Sequence, residues 1–315
     1  MSSSAGSFPP DNPQSSPESR YAGQLRAFPW LLVAPTVILL IALTIFPLIY
    51  SLYMSLHNFT LGGAKTWIGL DNYRDLLSDR SFWRKTWFTL QITIFAVAIE
   101  LVLGLLCALV LNKRLRGLGL LRMIVYIPMM LSPLVVAYFW RIMLDGSFGV
   151  FTWFAQELGF GKPQWTVDLT LAKASIVATD VWQWTPFVTL LMLAGLQAVH
   201  EAAELDKGTR WMTFRSITLP YLMTPILIAV LFRTIDTFKL FEAVYIITQG
   251  GPGDLTGTLS LMAYNVGFEQ SRIGMGAAIS WFVVVVINVL ATLLIMLMAR
   301  SRRESVMMAE VGDDE

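Results

Sequence analysis

The chain has 315 residues, of which 55% are hydrophobic and 14% charged, and its formal net charge is +1. Soluble domains carry about a quarter charged residues, so this composition indicates a membrane-embedded protein. The small net charge gives no support for nucleic-acid binding. One cysteine, Cys107, excludes an intramolecular disulfide and a cysteine-based metal cluster, and two separated histidines are too few for a metal site.

The order of apolar runs predicts an all-α polytopic membrane protein. Residues 1–27, rich in Ser, Pro and Gly at their start, are expected to form a disordered cytoplasmic tail. A six-helix membrane domain over residues 28–300 and a cytoplasmic tail over 301–315 follow. A helix of about 20 residues crosses a hydrocarbon core of about 30 Å. Six runs reach that length: Leu31–Leu52, Trp87–Leu111, Met123–Leu144, Leu171–Leu196, Tyr221–Ile247 and Gly276–Met298.

The distribution of lysine and arginine places both termini in the cytoplasm, because short cytoplasmic loops carry the basic excess. Such residues gather before the first span, after the second, after the fourth and after the sixth. The third-to-fourth and fifth-to-sixth loops hold one basic residue each, Lys162 and Arg272. The segment Phe59–Lys85, which this orientation places outside, contains five basic residues and so opposes it. Three aspartates are interleaved with these basic residues, and all the other loops favour the orientation.

The fourth span combines acid, amide and aromatic side chains with a proline. Asp180, Trp182, Gln183 and Trp184 precede Pro186, which removes a helix hydrogen bond and is expected to kink the span and free backbone groups to line a cavity. Aromatic faces beside amides and acids suit sugars. Tryptophans at a membrane surface are an equally ordinary explanation.

The stretch between the fourth and fifth runs, residues 198–220, has the longest mixture of charged and small residues. Glu201, Ala202 and Ala203 favour a short surface helix, and Gly208 can end it. Thr209 can cap a second short helix, and Pro220 suits the first turn of the next span. The orientation places this stretch in the cytoplasm, where it can contact a soluble partner.

The fifth span carries charges at membrane depth, in the sequence FRTIDTFKLFEA. Arg233, Asp236, Lys239 and Glu242 follow one another at i,i+3 spacing, so opposite charges alternate along adjacent turns. Buried charges in membranes usually face protein or a water-filled cavity. A structural ladder of ion pairs and the wall of a polar solute path are both open. Glu100 in the second span is a similar but more isolated charge.

The outside turn Thr248–Thr256 reads TQGGPGDLT and ends the fifth span. A glycine-rich phosphate loop is the alternative, but no strand precedes the turn and no Gly-Lys-Ser/Thr follows it. The segment GFGK at Gly159–Lys162 fails the same test. We therefore expect no ATPase site and no other catalytic site in this chain.

Three blocks resemble one family in the same order: IGLDNYRDLL in the first outside loop, Glu-Ala-Ala through Ile-x-Leu-Pro at 201–220, and FRTIDTFKLFEAVYIITQGGPG. They are similar to those of permease subunits of binding-protein-dependent carbohydrate ABC importers, of the maltose and glycerol-phosphate permease type. The resemblance implies a type I ABC importer permease fold in a bacterial cytoplasmic membrane. It also implies a translocation path that alternates between outward-open and inward-open states.

The family resemblance also implies partners and residue roles. The partners are a second homologous permease, two copies of an ABC ATPase that bind ATP and Mg, an extracytoplasmic solute-binding protein and the lipid bilayer. The implied residues of the ATPase-coupling loop are Glu201, Ala202, Ala203, Asp206, Gly208, Phe214 and Pro220. The candidates for the translocation path are Asp180, Trp182, Gln183, Trp184, Arg233, Asp236, Lys239 and Phe241.

The alternatives to an importer subunit are of other classes. A secondary transporter driven by an ion gradient often has inverted repeats, and the sequence contains no convincing repeat. A membrane-embedded enzyme needs a catalytic constellation that the spans do not contain. A purely structural scaffold gives no reason for Arg233, Asp236 and Lys239 at membrane depth.

Overall fold

The structure, a computed structural model, describes residues 32–113, 117–203, 215 and 218–312. The chain divides into two units, one ending at Tyr53 and one beginning at Met54. Helix α1, Leu32–Ser55, contains a π-helical turn at Ile41–Ile45, and all but its last two residues belong to the first unit.

The second unit begins with a small outside layer. Strands β1, His57–Asn58, and β2, Thr66–Trp67, form an antiparallel pair, and helix α2, Asp71–Ser78, follows. The buried Asn72 side chain donates hydrogen bonds to the carbonyls of Ser55 (2.8 Å) and His57 (3.0 Å). The asparagine of the IGLDNY block therefore connects α2 to the backbone on either side of Leu56, because a buried amide needs acceptors within the protein.

The remaining helices of the second unit are mostly membrane-spanning. Their bounds are α3, Arg80–Leu111; α4, Leu118–Met130; α5, Pro133–Met143; α6, Val150–Glu157; α7, Leu169–Ala203; α8, Leu219–Phe238; α9, Leu259–Tyr264; and α10, Ile273–Gly312. Two further π-helical turns lie at Val244–Thr248 and Asn265–Glu269. Five helices of the described chain are long and apolar enough to cross a membrane, and the pair α4 and α5 makes a sixth if it counts as one bent span.

Two of the expected spans differ from the structure. The run Met123–Leu144 is not one straight helix, because α4 and α5 meet at an angle of 96° around Leu131 and Ser132. The run Tyr221–Ile247 is also interrupted, since α8 ends at Phe238 before the π-helical turn begins. The other boundaries shift by a few residues, and α10 continues beyond residue 300 to Gly312.

Helices α3, α7 and α8 form the packed centre. Their inner halves share a buried cluster that includes Ala108, Val188, Met192, Leu222 and Ala229. Close approach needs small residues where the helices cross, because membrane helices associate mainly by packing. A Cβ on Gly104 of α3 would lie 2.6 Å from Val188 Cγ1, and one on Gly195 of α7 would lie 2.7 Å from Pro225 Cγ.

The first and last outside loops lie on the same face, as six alternating crossings require. The backbone N–H of Leu61 donates to the carbonyl of Ser271 (2.9 Å), and that of Gly274 donates to Phe59 (3.1 Å). Lys85 pairs with Asp254 of the TQGGPGDLT turn at 2.6 Å. One of the basic residues that opposed the outside placement of Phe59–Lys85 is thus neutralised by an aspartate of another outside loop.

We expect Gly104→Ala to destabilise the protein by about 1–3 kcal/mol, because overpacking forces α3 and α7 apart. The measurement is the melting temperature of the detergent-solubilised protein by size-exclusion chromatography after heating. Gly119→Ala in α4 is the matched control, since a Cβ there meets nothing within 4 Å. Val188→Ala should partly rescue Gly104→Ala, and equal melting of the two glycine variants would contradict the close contact.

Candidate functional site

Arg233 is the centre of a buried cluster of charges between three helices. Its side chain is 2% exposed, and it lies about 21 Å along α8 from Leu219 at 1.5 Å per residue. Nε donates to Glu100 Oε2 at 2.7 Å and Nη2 donates to Glu100 Oε1 at 2.9 Å, which is a bidentate pair with α3. Nη2 also donates to Asp180 Oδ2 of α7 at 2.8 Å. Glu100, which the sequence left isolated, is therefore the main partner of Arg233.

The rest of the Arg233 side chain is also occupied. Nη1 donates to Asp236 Oδ2 at 2.8 Å, and Nη2 lies 2.8 Å from Thr237 Oγ1. The guanidinium carbon lies 4.9 Å from the ring centroid of Trp184, so an aromatic face covers the plane of the cation. Arg233 thus joins α3, α7 and α8. Of its carboxylate partners, Glu100 and Asp180 are buried, and Asp236 is 49% exposed.

A polar cavity of about 220 Å³ lies beside this cluster. It brings together five of the path candidates with neighbouring residues of α5, α7 and the segment after α8. The lining residues are Pro133, Thr179, Asp180, Gln183, Trp184, Asp236, Lys239, Leu240, Glu242 and Ala243. The structure therefore gathers acids, an amide and an aromatic ring around one space at membrane depth, which is an environment for a polar solute.

The bend between α4 and α5 contributes to this cavity. Leu131 and Ser132 separate the two helices, and Gln183 Nε2 donates to the carbonyl of Leu131 at 3.1 Å. Pro133 starts α5 and lines the cavity. The residue before a proline avoids helical angles, so the Ser132-Pro133 pair was the available sequence signal for this break.

The end of α8 corrects the expected ladder of charges. The first pair, Arg233 with Asp236, forms at i,i+3 spacing. The helix then ends, with Lys239 at its C-cap. In the part of the chain that the structure describes, Lys239 and Glu242 form no ion pair, so the ladder does not continue. The carbonyl of Lys239 instead accepts a hydrogen bond from Ser260 of α9 (3.1 Å). The carbonyl of Leu240 accepts one from Thr258, the residue before α9 (3.0 Å).

Phe241 lies in a separate cluster of aromatic rings. Its centroid is 5.1 Å from that of Tyr245, in a stacked arrangement, and 5.2 Å from that of Tyr264. Phe268 extends the cluster, 5.5 Å from Tyr264. The sequence alone did not single out Tyr245, Tyr264 and Phe268, because they come from two segments that only the fold brings together.

The remaining path candidate, Trp182, lines a different space. It belongs to an apolar groove on α3, α4 and α7, and it is 44% exposed. Its α7 neighbours Asp180, Gln183 and Trp184 line the polar cavity instead. Helix α7 is continuous through Pro186, and the kink expected there stays a prediction.

Helix α5 holds the π-helical turn Val244–Thr248, which is the outer end of the fifth apolar run. Arg141 Nη1 donates to the carbonyls of Ile246 (2.7 Å) and Ile247 (2.8 Å), which are unpaired at the end of the π-helical turn. A basic group at a helix C-terminus also favours the helix dipole. The turn that follows contains Gln249 with φ 53°, and the helix does not continue into it.

The coupling-loop residues are described only in part. Glu201, Ala202 and Ala203 end α7, whose helix continues past Leu196 without the interruption that a separate surface helix would need. Pro220 lies in the first turn of α8. Asp206, Gly208, Phe214 and the two-helix arrangement around Gly208 lie outside the described residues.

The described residues contain no group of three or more His, Cys, Asp or Glu side chains that could hold a metal ion. The fold and the polar cavity at membrane depth define a polytopic membrane transport protein. A family model described as binding-protein-dependent transport system inner membrane component matches residues 100–304. Since this match covers more than half of the chain, the protein belongs to that family and is an ABC transporter permease.

Relatives and a solved structure agree with this assignment. The trehalose/maltose transport system permease protein MalF of Thermococcus litoralis is 39% identical over 256 residues, covering 80% of this chain and 86% of that protein. The trehalose transport system permease protein SugA of Mycobacterium tuberculosis is 36% identical over 285 residues, covering 89% and 90%. A chain of the bacterial alginate ABC transporter, in complex with alginate pentasaccharide-bound periplasmic protein, matches with TM-score 0.75 and 21% identity, covering 87% and 95%. The fold is that of type I importer permeases.

We expect Arg233→Gln to destabilise the protein by about 3–5 kcal/mol, because it leaves Glu100 and Asp180 buried without a cation. Asp236→Asn is the matched control, and the loss there should be below about 1 kcal/mol, since that carboxylate is half exposed. The measurement is again the melting temperature in detergent. Combining Arg233→Gln with Glu100→Gln and Asp180→Asn should recover most of the loss. Arg233→Gln melting like the wild type would show that the cluster does not hold the three helices.

Proposed function

We propose that this chain is one of two permease subunits that line the path of a carbohydrate importer. The observation that carries the proposal is the polar cavity beside Arg233, in a chain whose family is binding-protein-dependent transport. Asp236 and Lys239 offer hydrogen-bonding groups to this space from the end of α8, and Gln183 and Trp184 offer an amide and a ring from α7. Sugars have hydroxyl-rich edges and apolar faces, so they suit this mixture of groups.

The cluster of Phe241, Tyr245, Tyr264 and Phe268 supports the same class of solute. Their ring centroids lie 5.1–5.5 Å apart, with Phe241 and Tyr245 stacked and Tyr264 and Phe268 tilted, and they present apolar ring surfaces with two phenolic hydroxyls. Leu240, Glu242 and Ala243, which flank Phe241, line the polar cavity. The relatives named for trehalose and maltose transport make a neutral sugar or a related polyol our choice. Glycerol phosphate is the less favoured solute, because the cavity lining holds three acids and one lysine.

The coupling to ATP hydrolysis lies in the connection between α7 and α8. The loop 204–218 joins these helices, and Asp180 of α7 is paired with Arg233 of α8 at 2.8 Å. The close approach of Gly195 to Pro225 joins the same helices nearer the loop. A movement of the loop is therefore transmitted to both helices together, and α7 and α8 carry the cavity residues. Two ATPase copies, which bind ATP and Mg, are the proposed source of that movement.

The other proposed partners follow from geometry and chemistry. This chain lines its cavity from α5, α7 and α8, and a second homologous permease would complete the path. On the outer face, an extracytoplasmic binding protein would deliver the solute, as the family description and the periplasmic protein of the alginate complex suggest. The proposed location is the bacterial cytoplasmic membrane. A transporter driven by an ion gradient finds no support in the family match.

The experiment that tests this function is purification of the tagged chain from its native membrane in mild detergent, with mass spectrometry of the proteins that accompany it. We expect a second permease and an ATPase with a Walker motif, and ATP-dependent sugar uptake after reconstitution with the binding protein. A chain that purifies alone and accumulates solute under an ion gradient would overturn the proposal.

We expect Glu201→Lys or Gly208→Pro to reduce uptake at least tenfold, because each alters the charge or the backbone of the loop that contacts the ATPase. Membrane insertion should stay normal, and the ATPase activity of the reconstituted complex should no longer respond to the loaded binding protein. Glu157→Lys, at the end of α6 on the outer side, is the matched charge-reversal control. Uptake at the wild-type level in both loop variants would argue against coupling through this loop.

A further inference from the structure

A large apolar groove runs along one side of α3, α4 and α7. Its volume is about 1060 Å³, far more than the polar cavity, and its walls are formed almost entirely by apolar side chains. Ile92, Ile99 and Leu103 line it on α3, and Ile124 and Val125 line it on α4. Walls that are mostly apolar offer few hydrogen bonds to a sugar, so the groove is not part of the solute path proposed above.

The groove is as long as the hydrocarbon core of a bilayer. Its lining residues on α3 extend from Phe88 to Cys107, which is about 28 Å at 1.5 Å per residue. On α7 the lining begins at Thr170 and Lys173 at the outer end and reaches Pro186. Ala174 and Ala178, one helical turn apart, are exposed in its floor, so small side chains keep the groove open.

Lys173 is the charged residue of the groove lining, and it marks the outer end. Its Nζ lies 5.4 Å from the ring centroid of Phe88, and the side chain is half-buried. It forms no ion pair with any residue that the structure describes. Because α7 begins at Leu169, Lys173 lies about one turn inside the helix, at the depth where a lysine reaches the lipid headgroups.

We propose that this groove is a phospholipid-binding site. The phosphate is bound by Lys173, with Gln91 beside it in the lining, and the acyl chains lie along the apolar walls of α3, α4 and α7. The lysine favours a phospholipid over an apolar helix of a partner protein, because an apolar helix offers no negative charge to this cation. A phospholipid supplies the negative charge at the outer end and apolar chains below it.

The test uses the complete complex as purified from its native membrane, reconstituted in liposomes that contain phosphatidylglycerol with a photoactivatable acyl chain. After irradiation, the labelled peptides are identified by mass spectrometry. We expect labels concentrated on residues 88–107 and 170–186. Lys173→Gln should reduce this labelling about fivefold, the effect of one basic group at the membrane surface. Ala174→Trp combined with Ala178→Phe should abolish it by filling the groove.

Two matched controls should keep the wild-type labelling. Lys162→Gln removes an exposed lysine before α7, and Ala98→Phe enlarges an exposed residue of α3 that does not line the groove. A competition in the wild type does not depend on the folding of any variant. Unlabelled phosphatidylglycerol should displace the label at a concentration several times lower than diacylglycerol, which lacks the phosphate.

Three results would overturn the proposal. Equal competition by diacylglycerol would show that Lys173 recognises no phosphate. Labelling that is uniform over the apolar surface, or unchanged in the groove-filling variant, would show contact with bulk lipid only. A benzophenone amino acid at position 174 that captures another polypeptide of the complex would assign the groove to a protein partner.

Discussion

The buried guanidinium of Arg233 is the interaction on which the rest of the membrane domain depends. Removing a cation and two carboxylates from water costs several kcal/mol per ion, and that cost is offset only when the geometry is good and the hydrogen-bonding groups are satisfied. Here Nε, Nη1 and Nη2 all have acceptors at 2.7–2.9 Å, and the ring of Trp184 covers the plane of the guanidinium. Helices α3, α7 and α8 must therefore keep their relative depth, because sliding one of them by a single turn would break the hydrogen bonds between Arg233, Glu100 and Asp180.

The helix breaks at membrane depth lie next to the polar cavity. The break at Leu131–Ser132 and the end of α8 at Phe238 both adjoin the cavity. Membranes tolerate such breaks only when the freed backbone groups find partners within the protein. Gln183 satisfies one carbonyl at the first break, and Thr258 and Ser260 satisfy those at the second. The backbone at both breaks is thus stabilised by side chains from other segments, which links the shape of the cavity to the packing of α7 and α9.

The sequence was sufficient for four of the six spans, to within a few residues, and for the family, because hydrophobic length and local motifs are properties of short segments. The runs Met123–Leu144 and Tyr221–Ile247 are each interrupted in the structure. It also identified Arg233 and Asp236 as a pair, since i,i+3 neighbours on a helix are close regardless of the rest of the fold. It did not identify Glu100 as the partner of Arg233, because 133 residues separate them and two unpaired charges in different spans carry no sign of their contact. Trp182 was grouped with its sequence neighbours, although adjacent positions on a helix point to different faces. The aromatic cluster around Phe241 was incomplete because Tyr264 and Phe268 come from a different segment that only the fold brings close to it. The bend at Ser132-Pro133 was the exception, since its local signal was available and the apolar run concealed it.

The hydrogen bonds from Arg141 to the carbonyls of Ile246 and Ile247 attach only one half of the bent third span to the end of the fifth run. Helix α5 is fastened to the outer end of the fifth segment, whereas α4 lies on the far side of a 96° bend. A displacement of the Val244–Thr248 turn would therefore reach α5 directly, whereas it would reach α4 only through the two residues of the bend, Leu131 and Ser132.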